Sequence, residues 1–340
     1  MDLADIAASV NPTDTLECPP ARWGILGPGG IARHFVADAR EATACEITAV
    51  GSRDQARAEA FAAAHGIPHA YGSYEELVAS DAVDAIYVAT PHSHHRDHAL
   101  LALEAGKPVL VEKAFARSAA EAREILDLAR ERGLFAMEAM WSRFLPHSLV
   151  ARAIVDSGAI GDVVQVVADH GQSLLHVPRL TDPVLAGGAL LDLGVYPVSF
   201  IHSILGSPER VHAEGQLLDT GVDASSVSVL RYPAALAVAT TTLLARTPTR
   251  AWIGGQAGRI DFDPDFYRPG GITVTITGRE AFRWELLHPA GGFQYQIAEA
   301  ARCIDAGQLE SPVMPWAATI AVMEVLDEVR RQVGVRYPGE

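Results

Sequence analysis

The stretch PVLVEK, residues 108–113, ends an apolar run in two charged residues, Glu112 and Lys113. Neighbouring residues of a strand point to opposite faces of a sheet, so the two charges are not expected to pair with each other. In an open parallel sheet, ligands bind outside the carboxyl ends of the strands. Glu112 and Lys113 are therefore candidate ligand-binding residues, and an ion pair without function is the competing interpretation.

A glycine-rich turn closer to the N-terminus offers a phosphate site. The stretch GILGPGGIA matches the pattern G-x-G-x-x-A with Gly27, Gly29 and Ala32, directly after an apolar run and before a helical pattern. Gly27 permits a tight turn, Gly29 lets the backbone approach a pyrophosphate, and Ala32 permits close helix packing. With Gly30 and Ile31, these residues are predicted to bind a dinucleotide at a helix N-terminus.

The end of the second predicted strand decides which dinucleotide is expected. An NAD site usually has Asp or Glu there to hold the ribose 2′-hydroxyl, whereas an NADP site has Arg. Here the strand ends AVGSRD, with Ser52 and Arg53 at the position of the acid. A hydroxyl and a guanidinium suit a 2′-phosphate, so the sequence favours NADP(H). Asp54 is near enough to keep NAD(H) as an alternative.

The elements that must position these residues alternate between strands and helices up to about residue 145. The predicted strands of this part are RWGILG, EITAVGS, DAIYVAT, PVLVEK and LFAMEAM. Helical patterns separate them, which indicates right-handed βαβ units and a doubly wound parallel sheet covered on both faces. We therefore predict an α/β fold, with residues 1–20 as a mobile tail and residues 21–145 as a dinucleotide-binding Rossmann domain.

The pattern changes after residue 145. The strand-like segments of the second half are DVVQVVADHG, SSVSVLRY, LAVATTTLL, RAWIGG, GRIDFD, ITVTIT and AFRWELL. Few helices lie between them, which favours a large, mainly antiparallel open sheet. Residues 146–340 are therefore predicted to form a second domain of the α+β class.

Composition excludes several classes of protein. A formal net charge of −15 argues against a nucleic-acid partner, because such binding depends on clustered Lys and Arg. Three widely spaced cysteines form neither a disulfide framework nor a zinc motif, which is typical of the cytoplasm. The most apolar long region, 184–206, is interrupted by Asp192, Pro197 and His202, so no membrane span is predicted.

Three stretches together resemble the glucose-fructose oxidoreductase / inositol dehydrogenase (Gfo/Idh/MocA) family. They are GILGPGGIA, ATPHSHHRDHALLALEAGKPVLVEKAFA and GGALLDLGVYPVSF. Within that family, MEAMWSRFLP and ESPVMP look most like the branch of dimeric dihydrodiol dehydrogenases and NADP-dependent D-xylose 1-dehydrogenases. The resemblance runs from about residue 22 to the C-terminus. It is specific for the family and much less specific for the substrate.

The resemblance implies roles for the catalytic residues. The Glu-Lys-Pro motif of the family falls on Glu112, Lys113 and Ala114, and the missing proline puts a cis peptide there in doubt. The D-x-G-x-H/Y motif falls on Asp192, Gly194 and Tyr196. Tyr196 is implied as general acid/base and Lys113 as its electrostatic partner, with the reverse assignment open. Asp192 is implied to orient Lys113 or to hold a substrate hydroxyl.

The stretch HSHHRDH contains four histidines, and His94 and His98 would share a helix face. Metal ligation is the alternative that this cluster raises. No cysteine or carboxylate-rich cluster lies nearby, so no metal is predicted. The family's T-P-x-x-x-H pattern instead implies a wall of the cofactor cleft formed by Thr90, Pro91, His92 and His95.

Further residues are candidates by position. Trp141 and Arg143 follow the last strand of the first domain and are predicted to border the nicotinamide, although Trp141 could equally belong to the core. Arg179 and Asp182 precede the helix of Tyr196 in a loop-like stretch and are candidates for binding polyol hydroxyls. A surface loop without function is the competing interpretation for this last pair.

The expected protein is a cytoplasmic NADP(H)-dependent oxidoreductase that interconverts a hydroxyl and a carbonyl on a sugar or cyclic diol. The resemblance also implies that residues 146–340 bind the substrate and form a homodimer or homotetramer through the C-terminal sheet. An NADPH-dependent keto-sugar reductase is the alternative within the enzymes, because hydride transfer is reversible. A nucleotide-binding regulatory protein without turnover is the alternative outside them, and a glycosidase that uses NAD transiently is a weaker one.

Overall fold

The computed structural model describes residues 2–10, 15–286 and 291–339, and the chain divides into two compact units. The parallel-sheet unit comprises Thr13–Trp141 and Ala290–Ile320. The mixed-sheet unit comprises Met1–Pro12, Ser142–Pro289 and Ala321–Glu340. Each unit is therefore assembled from segments that are distant in the sequence.

The parallel-sheet unit is built on a six-stranded parallel sheet with the strand order β3-β2-β1-β4-β5-β6. Its strands are β1 (Arg22–Leu26), β2 (Glu46–Gly51), β3 (His69–Tyr71), β4 (Ala85–Val88), β5 (Val109–Glu112) and β6 (Ala136–Ala139). Strands β4, β5 and β6 are buried throughout, as expected of a sheet covered on both faces. The order reverses between β1 and β4, which is where a doubly wound sheet binds its ligand.

Helices connect these strands, and their termini follow local sequence signals. The helices are α2 (Gly30–Ala42), α3 (Gln55–His65), α4 (Tyr74–Val78), α5 (His95–Glu104), α6 (Ala119–Arg132) and α9 (Phe293–Asp305). Ser118 caps the first turn of α6, and Gly133 ends that helix in the left-handed conformation at φ 65°. The predicted Rossmann sheet is confirmed.

The mixed-sheet unit contains an eight-stranded sheet in the order β14-β13-β12-β11-β7-β10-β9-β8. Its strands are β7 (Val163–Gly171), β8 (Arg210–Leu217), β9 (Asp223–Arg231), β10 (Leu236–Thr242), β11 (Ala251–Gly255), β12 (Gly258–Phe262), β13 (Gly271–Ile276) and β14 (Phe282–Glu285). Every neighbouring pair is antiparallel except β7 with β10. The predicted open and mainly antiparallel sheet is confirmed.

Helix α8 covers one face of this sheet. The helices of the unit are α1 (Leu3–Ser9), α7 (Pro146–Asp156) and α8 (Val195–Leu205), and α10 (Trp316–Val333) continues into it from the parallel-sheet unit. Helix α8 packs on the central strands β7 and β10. Its residues from Val195 to Ile201 are buried, which explains the long apolar run around Tyr196.

One helical stretch of the described chain, Pro183–Leu205, is long and apolar enough to cross a membrane, with a mean hydropathy of 1.7. However, 89% of its most apolar window is buried inside the protein. Its hydrophobicity is accounted for by packing, because α8 within it lies on β7 and β10.

Residues 1–20 were predicted to be a mobile tail, but the structure places a helix in this segment. Residues 3–9 form α1, which packs on α7 through an apolar face at the helical spacing of Leu3, Ile6 and Ala7. Residues Thr15–Glu17 belong to the parallel-sheet unit and form a single 3₁₀ turn next to α9 of that same unit. Burial of apolar side chains at period 3.6 is the reason that this segment is structured.

The division into two units also differs from the predicted single domain boundary near residue 145. Residues 291–320, which the sequence assigned to the second domain, belong to the parallel-sheet unit. Helix α9 packs on α2, and the Phe293 N–H at its first turn donates to the Asp38 carboxylate of α2 at 2.8 Å. The contact with α2 therefore places α9 in the parallel-sheet unit.

Candidate active site

The turn after β1 has the backbone geometry of a phosphate site. Gly27 adopts φ +103°, and a Cβ there would lie 2.9 Å from the Thr90 methyl group and 3.2 Å from the Ala89 carbonyl oxygen. Helix α2 begins directly after Gly29, so its first N–H groups and the positive end of its dipole face the carboxyl edge of the sheet. Ala32 is fully buried, which allows the close helix packing predicted for it.

The Asp54 carboxylate, which follows β2, hydrogen-bonds the backbone of the first turn of α3. It accepts the Ala56 N–H at 3.0 Å and the Arg57 N–H at 3.3 Å, and so forms the N-cap of α3. The buried Ser52 hydroxyl accepts the Asp54 N–H at 3.2 Å. A carboxylate in this position satisfies a helix end, whereas Arg53 is exposed beside it.

Arg53 and Arg57 place positive charge around Tyr74 at this end of the sheet. Burial raises the pKa of the Tyr74 hydroxyl, and the two guanidinium groups act against that rise. Arg53 also contributes to the lowered pKa of His94, after burial as the larger cause. The edge of the sheet beyond β2 is therefore suited to an anion.

The buried His95 ring joins the turns that follow β4 and β5. Its Nδ1 lies 2.8 Å from the Ala114 carbonyl oxygen and its Nε2 lies 2.7 Å from the Thr90 carbonyl oxygen. Burial lowers the pKa of His95 to about 4, and the two carbonyl acceptors oppose this shift without reversing it. Lys113 also lowers that pKa, because its positive charge acts on the ring.

The other polar residues after β4 form a compact cluster. The Thr90 hydroxyl lies 2.9 Å from Nδ1 of His98, whose ring packs edge-on against Tyr74. His92 is buried and its ring packs edge-on against His95, directly after Pro91. Among the described residues, no three His, Cys, Asp or Glu side chains converge as the ligands of a metal would.

Lys113 follows the last residue of β5. The buried Glu112 carboxylate accepts the Tyr87 hydroxyl at 2.5 Å and the Lys113 backbone N–H at 3.2 Å. The peptide between Lys113 and Ala114 is cis, although the sequence had put a cis bond in doubt. Glu112 is thus a buried anchor at the strand end.

In the mixed-sheet unit, Asp192 lies in a π-helical turn, Leu190–Gly194, that leads into α8. Both terminal nitrogens of Arg179 donate to Oδ1 of Asp192 at 3.0 Å. Asp192 is buried whereas Arg179 is about half exposed. The structure therefore brings together two predicted site residues, Asp192 and Arg179, as an ion pair.

Tyr196 lies in an aromatic cluster that the sequence analysis missed. Its ring centroid is 5.2 Å from that of His170 on β7 and 4.9 Å from that of Tyr267, and His170 stacks on Tyr267 at 4.4 Å. The Gln172 side-chain nitrogen lies 2.9 Å from Nε2 of His170 and 3.3 Å from the Tyr267 hydroxyl. A histidine on a buried strand face was the available signal, because polar residues there need partners.

The remaining predicted residues have structural contacts. Arg143 donates to the Ser199 hydroxyl at 2.8 Å and to the Ser199 carbonyl at 3.0 Å, which ties it to α8. Trp141 stacks on Phe293 of α9 with centroids 4.9 Å apart. Asp182 accepts the Val184 N–H at 2.9 Å and so caps a short 3₁₀ turn.

A buried carboxylate supports the π-helical turn that carries Asp192. Oδ2 of Asp223 accepts the Leu190 N–H at 2.6 Å. Its Oδ1 lies close to the backbone of Gly188, where a Cβ would come within 2.1 Å of it. Burial raises the pKa of Asp223 to about 6, and the backbone hydrogen bond from Leu190 opposes the rise.

The raised pKa of Asp223 predicts a pH dependence of stability. An unfolded Asp releases its proton near the ordinary value of 3.8, below the folded value of about 6, so stability falls as pH rises between these values. Lowering the pH from 7 to 5 should therefore raise the free energy of unfolding of the wild type by about 1 kcal/mol relative to Asp223→Asn. Urea unfolding at both pH values measures this difference.

The exposed Asp219→Asn variant is the matched control, since it should keep the pH dependence of the wild type. An Asp223→Asn variant with the same pH dependence as the wild type would contradict the assigned role of the buried carboxyl.

A doubly wound parallel sheet with a glycine turn between β1 and α2 is typical of dinucleotide-binding proteins. Residues 21–140 match the family GFO_IDH_MocA, an oxidoreductase family with an NAD-binding Rossmann fold, and residues 149–261 match the GFO/IDH/MocA C-terminal domain. The chain belongs to the GFO/IDH/MocA family.

Relatives of known activity cover nearly the whole chain. It is 38% identical over 331 residues to trans-1,2-dihydrobenzene-1,2-diol dehydrogenase from Macaca fascicularis, which covers 93% of this chain and 98% of that protein. The enzyme of the same name from Danio rerio is 39% identical over 329 residues, with the same coverage of both chains.

Solved structures give the same fold. The aldose-aldose oxidoreductase from Caulobacter crescentus, in complex with glycerol, has a TM-score of 0.84 at 25% identity and covers 93% of this chain and 98% of its own. A 3-ketoreductase from Actinomadura kijaniata, in complex with NADP and TDP-benzene, has a TM-score of 0.82 at 27% identity, with 92% and 98% coverage. This chain is an NAD(P)-dependent oxidoreductase of the same family.

Proposed function

We propose that this protein is an NADP(H)-dependent oxidoreductase that interconverts a hydroxyl and a carbonyl on a cyclic diol or a sugar. The observation that carries the proposal is the lysine directly after β5 of a nicotinamide-binding sheet, at the edge where such sheets bind their ligands. The dihydrodiol dehydrogenases cover 93% of the chain and support a vicinal diol on a six-membered ring as the substrate class.

A bound nicotinamide would supply the hydride acceptor or donor for the carbinol carbon, and side chains of this chain are assigned to the hydroxyl proton. Tyr196 is assigned as the general acid/base. Removal of a proton by tyrosine at neutral pH needs help, because its ordinary pKa is about 10. The ammonium of Lys113 is assigned to stabilise the negative oxygen that develops, and Asp192, held by Arg179, is assigned to bind a substrate hydroxyl.

Two features of the relatives support these assignments. Structures of the 3-ketoreductase from Actinomadura kijaniata include one lysine-to-alanine variant and one tyrosine-to-phenylalanine variant. Every relative named above is a dehydrogenase, oxidoreductase or reductase, which favours turnover over a purely regulatory role.

Loss of either proposed catalytic group should slow the reaction without weakening the binding of the cofactor. We expect Lys113→Ala and Tyr196→Phe each to lower kcat by about 10² to 10⁴ fold, because acid/base assistance contributes that much. The NADPH dissociation constant should change by less than about threefold. The assay follows NADPH formation with trans-1,2-dihydrobenzene-1,2-diol and with D-xylose.

Tyr71→Phe is the matched control, since its hydroxyl bonds the Ser80 hydroxyl at 2.7 Å and has no proposed catalytic role. Normal turnover by Tyr196→Phe would exclude Tyr196 as the acid/base, and normal turnover by Lys113→Ala would exclude the electrostatic role.

The choice of NADP over NAD follows from the end of β2. The carboxylate that could bind a ribose 2′-hydroxyl, Asp54, already accepts two backbone N–H groups of α3. Arg53 is exposed beside it, Arg57 lies in the first turn of α3, and the Ser52 hydroxyl completes the set. Two guanidinium groups and a hydroxyl match a 2′-phosphate.

Arg53→Ala should raise the NADPH dissociation constant by about 10 to 100 fold, because a hydrogen bond between charged groups is lost, and should leave NADH binding nearly unchanged. Asp54→Asn is the control, since Asn caps a helix about as well as Asp. The protein is titrated with NADPH and, separately, with NADH, and the nicotinamide fluorescence gives the dissociation constant of each cofactor. Weaker NADH binding by Asp54→Asn, with NADPH binding intact in Arg53→Ala, would reverse the assignment to NAD.

The oligomer belongs to the same proposal. The face of the mixed sheet opposite α8 presents Val227 and Val229 of β9 and Leu236 of β10, which are 47%, 37% and 51% exposed. Partly buried Val167, Val238 and Trp252 continue this apolar stripe across β7, β10 and β11. A patch of this kind is typical of an interface, and we assign it to a second copy of the chain.

The double variant Val227→Lys, Val229→Lys should therefore shift the protein from dimer or tetramer to monomer in sedimentation velocity, because it buries charge in the interface. Leu16→Lys, which changes an equally exposed apolar residue outside this sheet, should leave the oligomer intact. A wild type that sediments as a monomer would contradict the proposed interface.

We also propose that the protein is cytoplasmic, because its three widely spaced cysteines are typical of a reducing compartment.

A further inference from the structure

Two cysteines that are far apart in the sequence lie side by side. The Sγ atoms of Cys18 and Cys45 are 3.9 Å apart, and both residues are buried. A disulfide bond is about 2.0 Å long, so the two sulfurs would need to approach by about 1.9 Å. The sequence does not predict this pair, because the 27-residue separation gives no local motif.

The pair lies at the amino end of the parallel sheet. Cys18 follows the 3₁₀ turn Thr15–Glu17, and Cys45 precedes β2. The adjacent hydrogen bond from the Glu46 N–H to the Ala21 carbonyl, at 2.9 Å, begins the pairing of β1 with β2. The glycine turn lies at the other end of β1, so the two sulfurs are remote from the cofactor edge.

The surroundings lower the pKa of the Cys18 thiol and raise the pKa of the Cys45 thiol. The Cys45 thiol lowers the pKa of Cys18 to about 6 by hydrogen bonding to its sulfur, although burial opposes this; the backbone at Ala44 and the Arg302 guanidinium add to the lowering. The same hydrogen bond raises the pKa of Cys45. The hydrogen bond between the two sulfurs therefore favours the thiolate on Cys18 and the proton on Cys45.

The third cysteine provides an internal contrast. Cys303 of α9 is also buried, and burial and the nearby Glu299 carboxylate raise its pKa to about 12. Its Sγ lies 3.7 Å from Oε1 of Glu299. Cys303 is therefore a protonated thiol, which reacts slowly with oxidants.

We propose that Cys18 and Cys45 are a site of reversible oxidation, at which hydrogen peroxide forms an intramolecular disulfide. The Cys18 thiolate attacks one peroxide oxygen, the O–O bond breaks, and the sulfur becomes a sulfenic acid as hydroxide leaves. The Cys45 sulfur then attacks that sulfenic acid, the S–S bond forms, and the hydroxyl leaves as water with the Cys45 proton. In total, two thiols and one peroxide give one disulfide and two waters.

The disulfide would act on stability and leave catalysis unchanged. It closes a chain segment that contains β1, the glycine turn and α2, and so restricts the unfolded chain. The turn itself lies at the opposite end of β1. A reducing compartment keeps the pair as thiols, and exposure to peroxide converts it.

The test treats the purified full-length protein with hydrogen peroxide at neutral pH, removes the oxidant, and alkylates the free thiols in denaturant for mass spectrometry. We expect the wild type to keep one alkylated thiol, Cys303, and to yield a Cys18–Cys45 cross-linked peptide. Dithiothreitol should restore all three thiols. The oxidised protein should melt at least about 3 °C higher, with unchanged NADPH affinity.

Variants separate this site from general oxidation. Cys303→Ser should still lose two thiols, whereas Cys18→Ser and Cys45→Ala should form no internal link. Faster oxidation of Cys303 than of Cys18, conversion to sulfonic acids without a link, or links only between chains would each overturn the proposal. A linked protein with an unchanged Tm would overturn the stabilising role.

Discussion

The buried imidazole of His95 is the contact on which the lysine end of the parallel sheet depends. Its Nε2 lies 2.7 Å from the Thr90 carbonyl oxygen after β4 and its Nδ1 lies 2.8 Å from the Ala114 carbonyl oxygen after β5. A neutral ring donates its single N–H to one of these oxygens and packs against the other, so it lies between the two turns. Burial keeps the ring neutral at physiological pH, so it adds no positive charge beside Lys113. The position of the Lys113 backbone is thereby set by a group that does not itself change charge.

A buried carboxylate supports candidate site residues within each unit. Glu112 is held by Tyr87 and by the Lys113 N–H at the end of β5. Asp223 holds the first turn of the segment that carries Asp192 and leads into the helix of Tyr196. Short hydrogen bonds from backbone or hydroxyl donors offset part of the cost of burying each carboxylate, and the raised pKa of Asp223 shows that the offset there is incomplete.

Much of the fold follows from the sequence because strong periodic patterns determine it. Buried parallel strands read as continuous apolar runs, and the glycine turn has a fixed strand-turn-helix context. Strands β3 and β8 were not predicted: β3 has three residues, and β8 is an edge strand with six of its eight residues exposed. Helix α1 carried a signal in the spacing of Leu3, Ile6 and Ala7, which its short length concealed.

The candidate site residues were predictable only where they fall on a sequence motif. Lys113 and Tyr196 fall on motifs, whereas His170 and Tyr267 are near Tyr196 only through the packing of distant strands and loops. The role of Asp54 was open in the sequence, because Asp suits both a ribose contact and a helix cap, and the hydrogen bonds of α3 assign it to the cap. The pairing of Cys18 with Cys45 likewise exists only in three dimensions.

The most direct test of the central claim is transfer of deuterium from a labelled carbinol carbon. The wild-type protein would be incubated with NADP⁺ and with trans-1,2-dihydrobenzene-1,2-diol or a sugar that carries deuterium at the reacting carbon, and the NADPH analysed by mass spectrometry. We expect one deuterium in each NADPH formed. Tight NADPH binding with no labelled product from any diol or sugar would contradict it.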